Sequence, residues 1–133
     1  MKESPHGCAP RRFTLVARLK SFGYAFEGIA LMLRTQHNAW LHLVATMLVA
    51  GLAAWCRVDA GDWRWLIGAM AVVWMAEAMN TAVESLCDVV SPQHSLVVKC
   101  AKDLAAGGVL IAACAAAATG VITFWPYLFR QVA

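Results

Sequence analysis

Glu77, Asn80, Thr81, Glu84 and Asp88 are the residues of this 133-residue chain best placed to do chemistry. They follow the apolar run Trp65 to Ala76. Steps of three, four and four put Glu77, Asn80, Glu84 and Asp88 on one face of a helix. Three carboxylates on one stripe of an otherwise apolar helix are costly in a membrane and face a bundle interior or a water-filled cavity. Counted from Trp63 at about 1.5 Å per residue, Glu77 lies about 21 Å along the helix and Glu84 about 31 Å. A hydroxyl carried by a lipid can reach Glu77 at that depth, which suits it to accept a proton. Glu84 and Asp88 fall at the headgroup boundary, where carboxylates near water suit Mg²⁺, a hard ion that keeps several waters. An ion-pair stripe that registers helices and a proton relay in a small transporter are both compatible with the stripe alone.

A second group follows in Lys99-Cys100-Ala101-Lys102-Asp103. Two lysines at the start of a helix offer a phosphate both charge and free backbone N–H groups. Gly107 and Gly108, one turn on, allow another backbone or a ligand to come close. The ordinary readings of the same residues are membrane anchors and a small-residue packing face. No P-loop or kinase-type glycine loop occurs, so the common nucleotide-binding folds are excluded.

These groups need elements that hold them in a bilayer. Hydrophobic residues make up 61% of the chain and charged residues 14%, against about 45–50% and about 25% in soluble domains. A chain this short has room for one domain. Residues 1–11 read as a disordered tail and 12–133 as a single membrane domain. Residues 12–34 carry a helical apolar period flanked by basic residues, which predicts an amphipathic helix in the interface. Thr35 to Asn38 break that pattern. Spans are predicted at about 39–56, 63–90 and 102–127, the last closing at Trp125-Pro126-Tyr127, with interfacial Trp40 and Trp55 at the ends of the first. The fold class is therefore an all-α membrane protein, with one surface helix and three transmembrane helices.

Six of the eleven Lys and Arg residues precede the first span. The positive-inside rule then places the N-terminus and the 91–102 loop in the cytoplasm. The basic residues form no stripe with interleaved aromatics, so no nucleic-acid partner is expected. The five scattered cysteines have no metal-ligand spacing and read as small apolar residues.

Taken together, Glu77-Ala78-Met79-Asn80-Thr81-Ala82-Val83-Glu84-Ser85-Leu86-Cys87-Asp88 and Lys99-Cys100-Ala101-Lys102-Asp103-Leu104-Ala105-Ala106-Gly107 closely resemble the bacterial diacylglycerol kinase family of membrane lipid kinases. The resemblance extends back through Asn38-x-x-x-His42 and Lys20 to Phe26, and covers about residues 13–125. It implies a multi-pass protein of the bacterial cytoplasmic (inner) membrane. It further implies a domain-swapped homotrimer with sites at subunit interfaces, using ATP and Mg²⁺ on a lipid alcohol, diacylglycerol or undecaprenol. By motif, Glu77 is the expected general base, with Asn80 and Lys102 as further catalytic residues. Glu84 is a metal ligand, and Glu84, Lys102, Asp103 and Asp88 surround the nucleotide. Two departures stand out. Gln36 occupies a position where the family often has a metal-binding glutamate, and an amide offers Mg²⁺ an oxygen but no charge. The loop histidine is displaced to His94. A small proton-coupled transporter using Glu77 is the alternative. It explains one buried carboxylate, but not Glu84, Asp88, Lys102 and Asp103 grouped together.

Overall fold

A computed structural model of the chain describes residues 14–91 and 95–130. The expected tail at 1–11, the first residues of the surface helix, and His94 lie outside the described residues. Four helices follow in order: α1 (Leu15–Thr35), α2 (His37–Trp55), α3 (Ala60–Val90) and α4 (Leu96–Arg130). Three of them, His37–Trp55, Ala60–Val90 and Leu96–Phe129, are long and apolar enough to cross a membrane. The all-α membrane class is therefore as expected.

α1 starts at Thr14, whose hydroxyl oxygen accepts from the Ala17 N–H. Almost every α1 side chain is exposed, and Met32 is the one buried residue of the helix. The break before α2 is a single extended residue, Gln36 (φ −108°, ψ 116°), narrower than the Thr35–Asn38 interruption read from polarity. At its far end α2 closes with a Schellman motif. The Val58 N–H reaches Ala53 O and the Arg57 N–H reaches Ala54 O, while Arg57 takes φ 52°. Val58 and Ala53 are both buried there beside Cys56, Leu66 and Phe124. Asp59 caps α3, its carboxylate accepting from the Gly61 and Asp62 N–H groups.

α2, α3 and α4 run alternately up and down, and polar contacts fix their register. Trp74 Nε1 donates to Thr46 Oγ1 at 3.0 Å between α3 and α2. Tyr127 near the end of α4 lies 2.8 Å from a carboxylate oxygen of each of Asp59 and Asp62, and accepts from the Asp59 N–H. The Tyr127 hydroxyl first, and then the Asp62 and Gly61 N–H groups, hold the Asp59 carboxyl below its ordinary value. At the other end of the α3–α4 pair, Lys102 bonds Asp88. α4 departs from expectation at both ends. It begins at Leu96, because Leu96 to Ala101 contain no helix breaker, and it runs through Pro126 to Arg130. Pro126 removes one backbone donor, which a membrane helix tolerates where neighbours hold the chain. Tyr127 supplies that hold.

Arg57 is a residue with a Cβ in a conformation that costs roughly 1–2 kcal/mol. Arg57→Gly should stabilise the protein by about 1 kcal/mol net of the added freedom of the unfolded chain. A raised thermal midpoint in detergent micelles is the expected result, and an unchanged or lowered midpoint would contradict it.

Candidate functional site

The antiparallel register of α2 and α3 brings Gln36 opposite Glu84 and His42 opposite Glu77. Gln36 Nε2 donates to Glu84 Oε2 at 2.9 Å. Asn80 Nδ2, one turn before Glu84, donates to Glu84 Oε1 at 3.2 Å. A carboxylate only accepts, so both side-chain amides must turn their NH₂ groups toward it. Glu84 itself is half-buried. The residue that joins α1 to α2 is thus also the residue that holds Glu84.

Glu77 has a different setting. It is fully buried, at 0% exposure. Neither of its carboxylate oxygens has a hydrogen-bond partner. The nearest ionisable group is His42, whose Nε2 lies 3.8 Å from Glu77 Oε2, beyond hydrogen-bonding reach. Thr81 Oγ1 bonds the backbone oxygen of Glu77 and leaves the side chain free. The Oδ1 of buried Asn80 also lacks a partner. Buried polar atoms without partners are uncommon and need an explanation. Here three acceptor oxygens without a partner sit on one helix face, which a donating ligand or a cation would satisfy.

Asp88 and Lys102 pair beyond Glu84, with side chains 69% and 35% exposed, at the open end of the site. Asp103 instead bonds Lys99 one turn back along α4, and both are exposed. The structure therefore gathers Glu77, Asn80, Glu84 and Gln36, sets Asp88–Lys102 next to them, and turns Asp103 away. One expectation changes. Lys99 and Lys102 are not at a helix start, because α4 begins at Leu96 and the Lys99 N–H already bonds Ser95 O. What these two lysines can offer an anion is side-chain charge, since the Lys99 N–H is already taken.

A single chain already covers Glu77 and Asn80. Sequence reasoning names His42 only as part of a motif, without its place beside Glu77, and misses the amide of Gln36 as a carboxylate donor. Residue type alone does not say whether an amide will present oxygen or nitrogen.

Mg²⁺ fits this donor set in a limited way. Among the described residues no cluster of three or more His, Cys, Asp or Glu side chains could hold a metal. One carboxylate and amide oxygens, with waters and phosphate oxygens completing the shell, is the usual manner for Mg²⁺. Glu84 and the unpartnered Asn80 oxygen would be the protein's contribution. Gln36 could join only by rotating its oxygen inward.

The family model described as prokaryotic diacylglycerol kinase matches residues 23–124, which include every residue of the site. An undecaprenol kinase of Bacillus subtilis is 30% identical over 109 residues, covering 82% of this chain and 89% of its own. A diacylglycerol kinase of Synechocystis is 35% identical over 111 residues, covering 83% of this chain and 63% of its own. The diacylglycerol kinase of Escherichia coli is 28% identical over 116 residues, covering 82% of this chain and 89% of its own.

Gln36→Glu would set two carboxylates where the amide now bonds Glu84. Like charges at that separation repel unless a cation lies between them. The variant should therefore lose about 1.5–3 kcal/mol in chelator, the worth of a hydrogen bond to a charged group. Added Mg²⁺ should restore the loss and act at lower concentration than in the wild type. A thermal midpoint equal to wild type with and without Mg²⁺ would show that Gln36 does not position Glu84.

Proposed function

Since the chain belongs to the prokaryotic diacylglycerol kinase family, we propose that it transfers the γ-phosphoryl group of ATP to the primary hydroxyl of a membrane lipid, diacylglycerol or undecaprenol. The observation that carries this reading is the pair of unpartnered, fully buried carboxylate oxygens of Glu77. They sit seven residues, about 10.5 Å along the helix, from Glu84 and the charged end of the site. A hydroxyl arriving from the bilayer is the missing donor, and a nucleotide arriving from water meets Glu84, Asp88 and Lys102 first.

In the proposed step the lipid O–H donates to Glu77. As the lipid oxygen bonds the γ-phosphorus, the bond from phosphorus to the β–γ bridging oxygen breaks. ADP leaves with that electron pair, and the lipid proton stays on Glu77. Asn80 lies between the two carboxylates and keeps Glu84 aligned through its amide. Lys102 supplies positive charge for the phosphates and is steadied by Asp88. Bound Mg²⁺ would offset phosphate charge beside Glu84. Asp103 would act on the nucleotide through its pair with Lys99. The excess of basic residues before α2 supports a cytoplasmic N-terminus and nucleotide entry from the cytoplasm of a bacterial inner membrane. The homotrimer is proposed on the family resemblance. The many large apolar side chains exposed on α2, α3 and α4 leave faces for such packing.

Glu77→Gln should lower transfer of labelled phosphate from ATP to lipid by about a thousandfold, within the range for a lost general base. Binding of a non-hydrolysable ATP analogue, followed by calorimetry, should stay within a few-fold of wild type. Near-normal turnover in this variant would remove Glu77 from the mechanism.

A further inference from the structure

At the Asp59 end of the bundle, about 33 Å along α3 from Glu84, a separate set of polar groups lies outside the candidate site. Tyr127 Oη is 2.8 Å from Asp59 Oδ2 and 2.8 Å from Asp62 Oδ2, and it also accepts from the Asp59 N–H. A phenol carries one hydrogen and an ionised carboxylate carries none. The hydroxyl therefore bonds one of the two carboxylates, and at the other two oxygens meet lone pair to lone pair. No ion pair holds Asp59 or Asp62 among the described residues. Arg64 acts on Asp59 through charge alone. The cluster is thus short of positive charge and of hydrogen-bond donors.

Beside it a pocket of about 330 Å³ opens between α3 and α4, lined by Asp62, Trp65, Thr119, Ile122, Thr123 and Pro126. Asp62 Oδ2 takes the Tyr127 contact, and its Oδ1 accepts no bond from the described residues. Thr123 is buried, at 6% exposure, yet its hydroxyl bonds no described residue. Thr35, Thr81 and Thr119 each return the hydroxyl to the carbonyl four residues back, and Thr123 does not. The sealed side-chain atoms without partners among the described residues are those of Glu77 and Asn80. The Thr123 oxygen is therefore open, and the space beside it is this pocket. A polar group so deeply buried needs a partner to offset its lost hydration.

We propose that this pocket binds a primary ammonium group, with Asp62 Oδ1 and the hydroxyl oxygens of Thr119 and Thr123 accepting its three N–H bonds. The Thr119 hydroxyl gives its hydrogen to Ala115 O and keeps lone pairs for the ligand. An ammonium supplies both things the cluster lacks, positive charge and donors, where a phosphate or carboxylate would add to the excess. A divalent metal is a poorer match, since no group of three or more His, Cys, Asp or Glu side chains gathers among the described residues. Ile122, Pro126 and the Trp65 ring fit the short carbon linker of an amino alcohol. Trp65 is 71% exposed, and its amphipathic indole suits the membrane–water boundary. At about 30 Å³ per water-sized group the pocket holds roughly ten such groups, which is a headgroup and not a whole lipid. The ligand is thus ethanolamine-like, carried by a membrane lipid or free in solution. This site is separate from phosphoryl transfer and does not depend on the kinase reading.

The test offers the full-length protein, purified in detergent, equal amounts of phosphatidylethanolamine and phosphatidylcholine with the same acyl chains. Phosphatidylcholine carries the same charge but no N–H donors. Native mass spectrometry of the retained lipids should show phosphatidylethanolamine favoured about tenfold, the effect of one hydrogen bond to a charged group. Thr123→Val keeps the shape of the side chain and removes the hydroxyl, and Asp62→Asn removes the charge. Each should reduce the preference by about threefold or more. Thr123→Val decides alone if Asp62→Asn, which also disturbs Tyr127, does not fold. Free ethanolamine separates the two sources. If it raises the thermal midpoint of the wild type but not of Thr123→Val, with no preference between the lipids, the ligand is a soluble amine and the site stands. Equal retention of both lipids together with no ethanolamine effect overturns the proposal, and so does a preference that Thr123→Val leaves unchanged.

Discussion

A carboxylate within a membrane-spanning helix must be surrounded by protein, and the arrangement of this chain follows from covering Glu77. An ionisable group at such depth costs a few kcal/mol even on the more lenient scales. α3 on its own would leave it in lipid. α2 folds back along α3 and sets His42 over Glu77, and α4 packs along the length of α3. The two pairings are pinned by polar contacts rather than by apolar area, because helices in lipid gain little from burying apolar side chains against one another. Trp74–Thr46, Lys102–Asp88 and Tyr127 with Asp59 and Asp62 set the heights of the three helices. That register then puts a solvent-reachable carboxylate, Glu84, and a sealed one, Glu77, on the same face.

The division between these two groups is the working feature of the site. Glu84 has both oxygens occupied by amide donors and stands near exposed charges, whereas Glu77 has neither oxygen occupied. One helix therefore carries a pre-aligned carboxylate near exposed charges and, seven residues earlier, a buried carboxylate with both oxygens unpartnered. Gln36 couples the first of these to the joint between α1 and α2. A change at Gln36 should accordingly be felt both by Glu84 and by the angle at which α1 leaves the bundle.

Much of this was legible in the residues. The period of Glu77, Asn80, Glu84 and Asp88 places them on one helix face, and the apolar runs around them require a membrane. Features that join distant parts of the chain had no local signature. Tyr127 meets Asp59 across sixty-eight residues and Gln36 meets Glu84 across forty-eight. α4 extends on both sides of the expected 102–127 span: nothing between Leu96 and Ala101 breaks a helix, and the helix continues past Pro126 because the Tyr127 contact that sustains its last turn is tertiary.

Transfer of phosphate from nucleotide to a lipid hydroxyl at Glu77 is the central proposed step. Purified protein in mixed micelles with γ-labelled ATP and Mg²⁺, offered diacylglycerol, undecaprenol or no lipid, measures this directly. Label should enter the organic phase as a lipid phosphate with at least one of the two alcohols, and should not do so when lipid is omitted. Label remaining wholly in water-soluble species with both alcohols, from protein shown to be folded and to bind ATP, would contradict it.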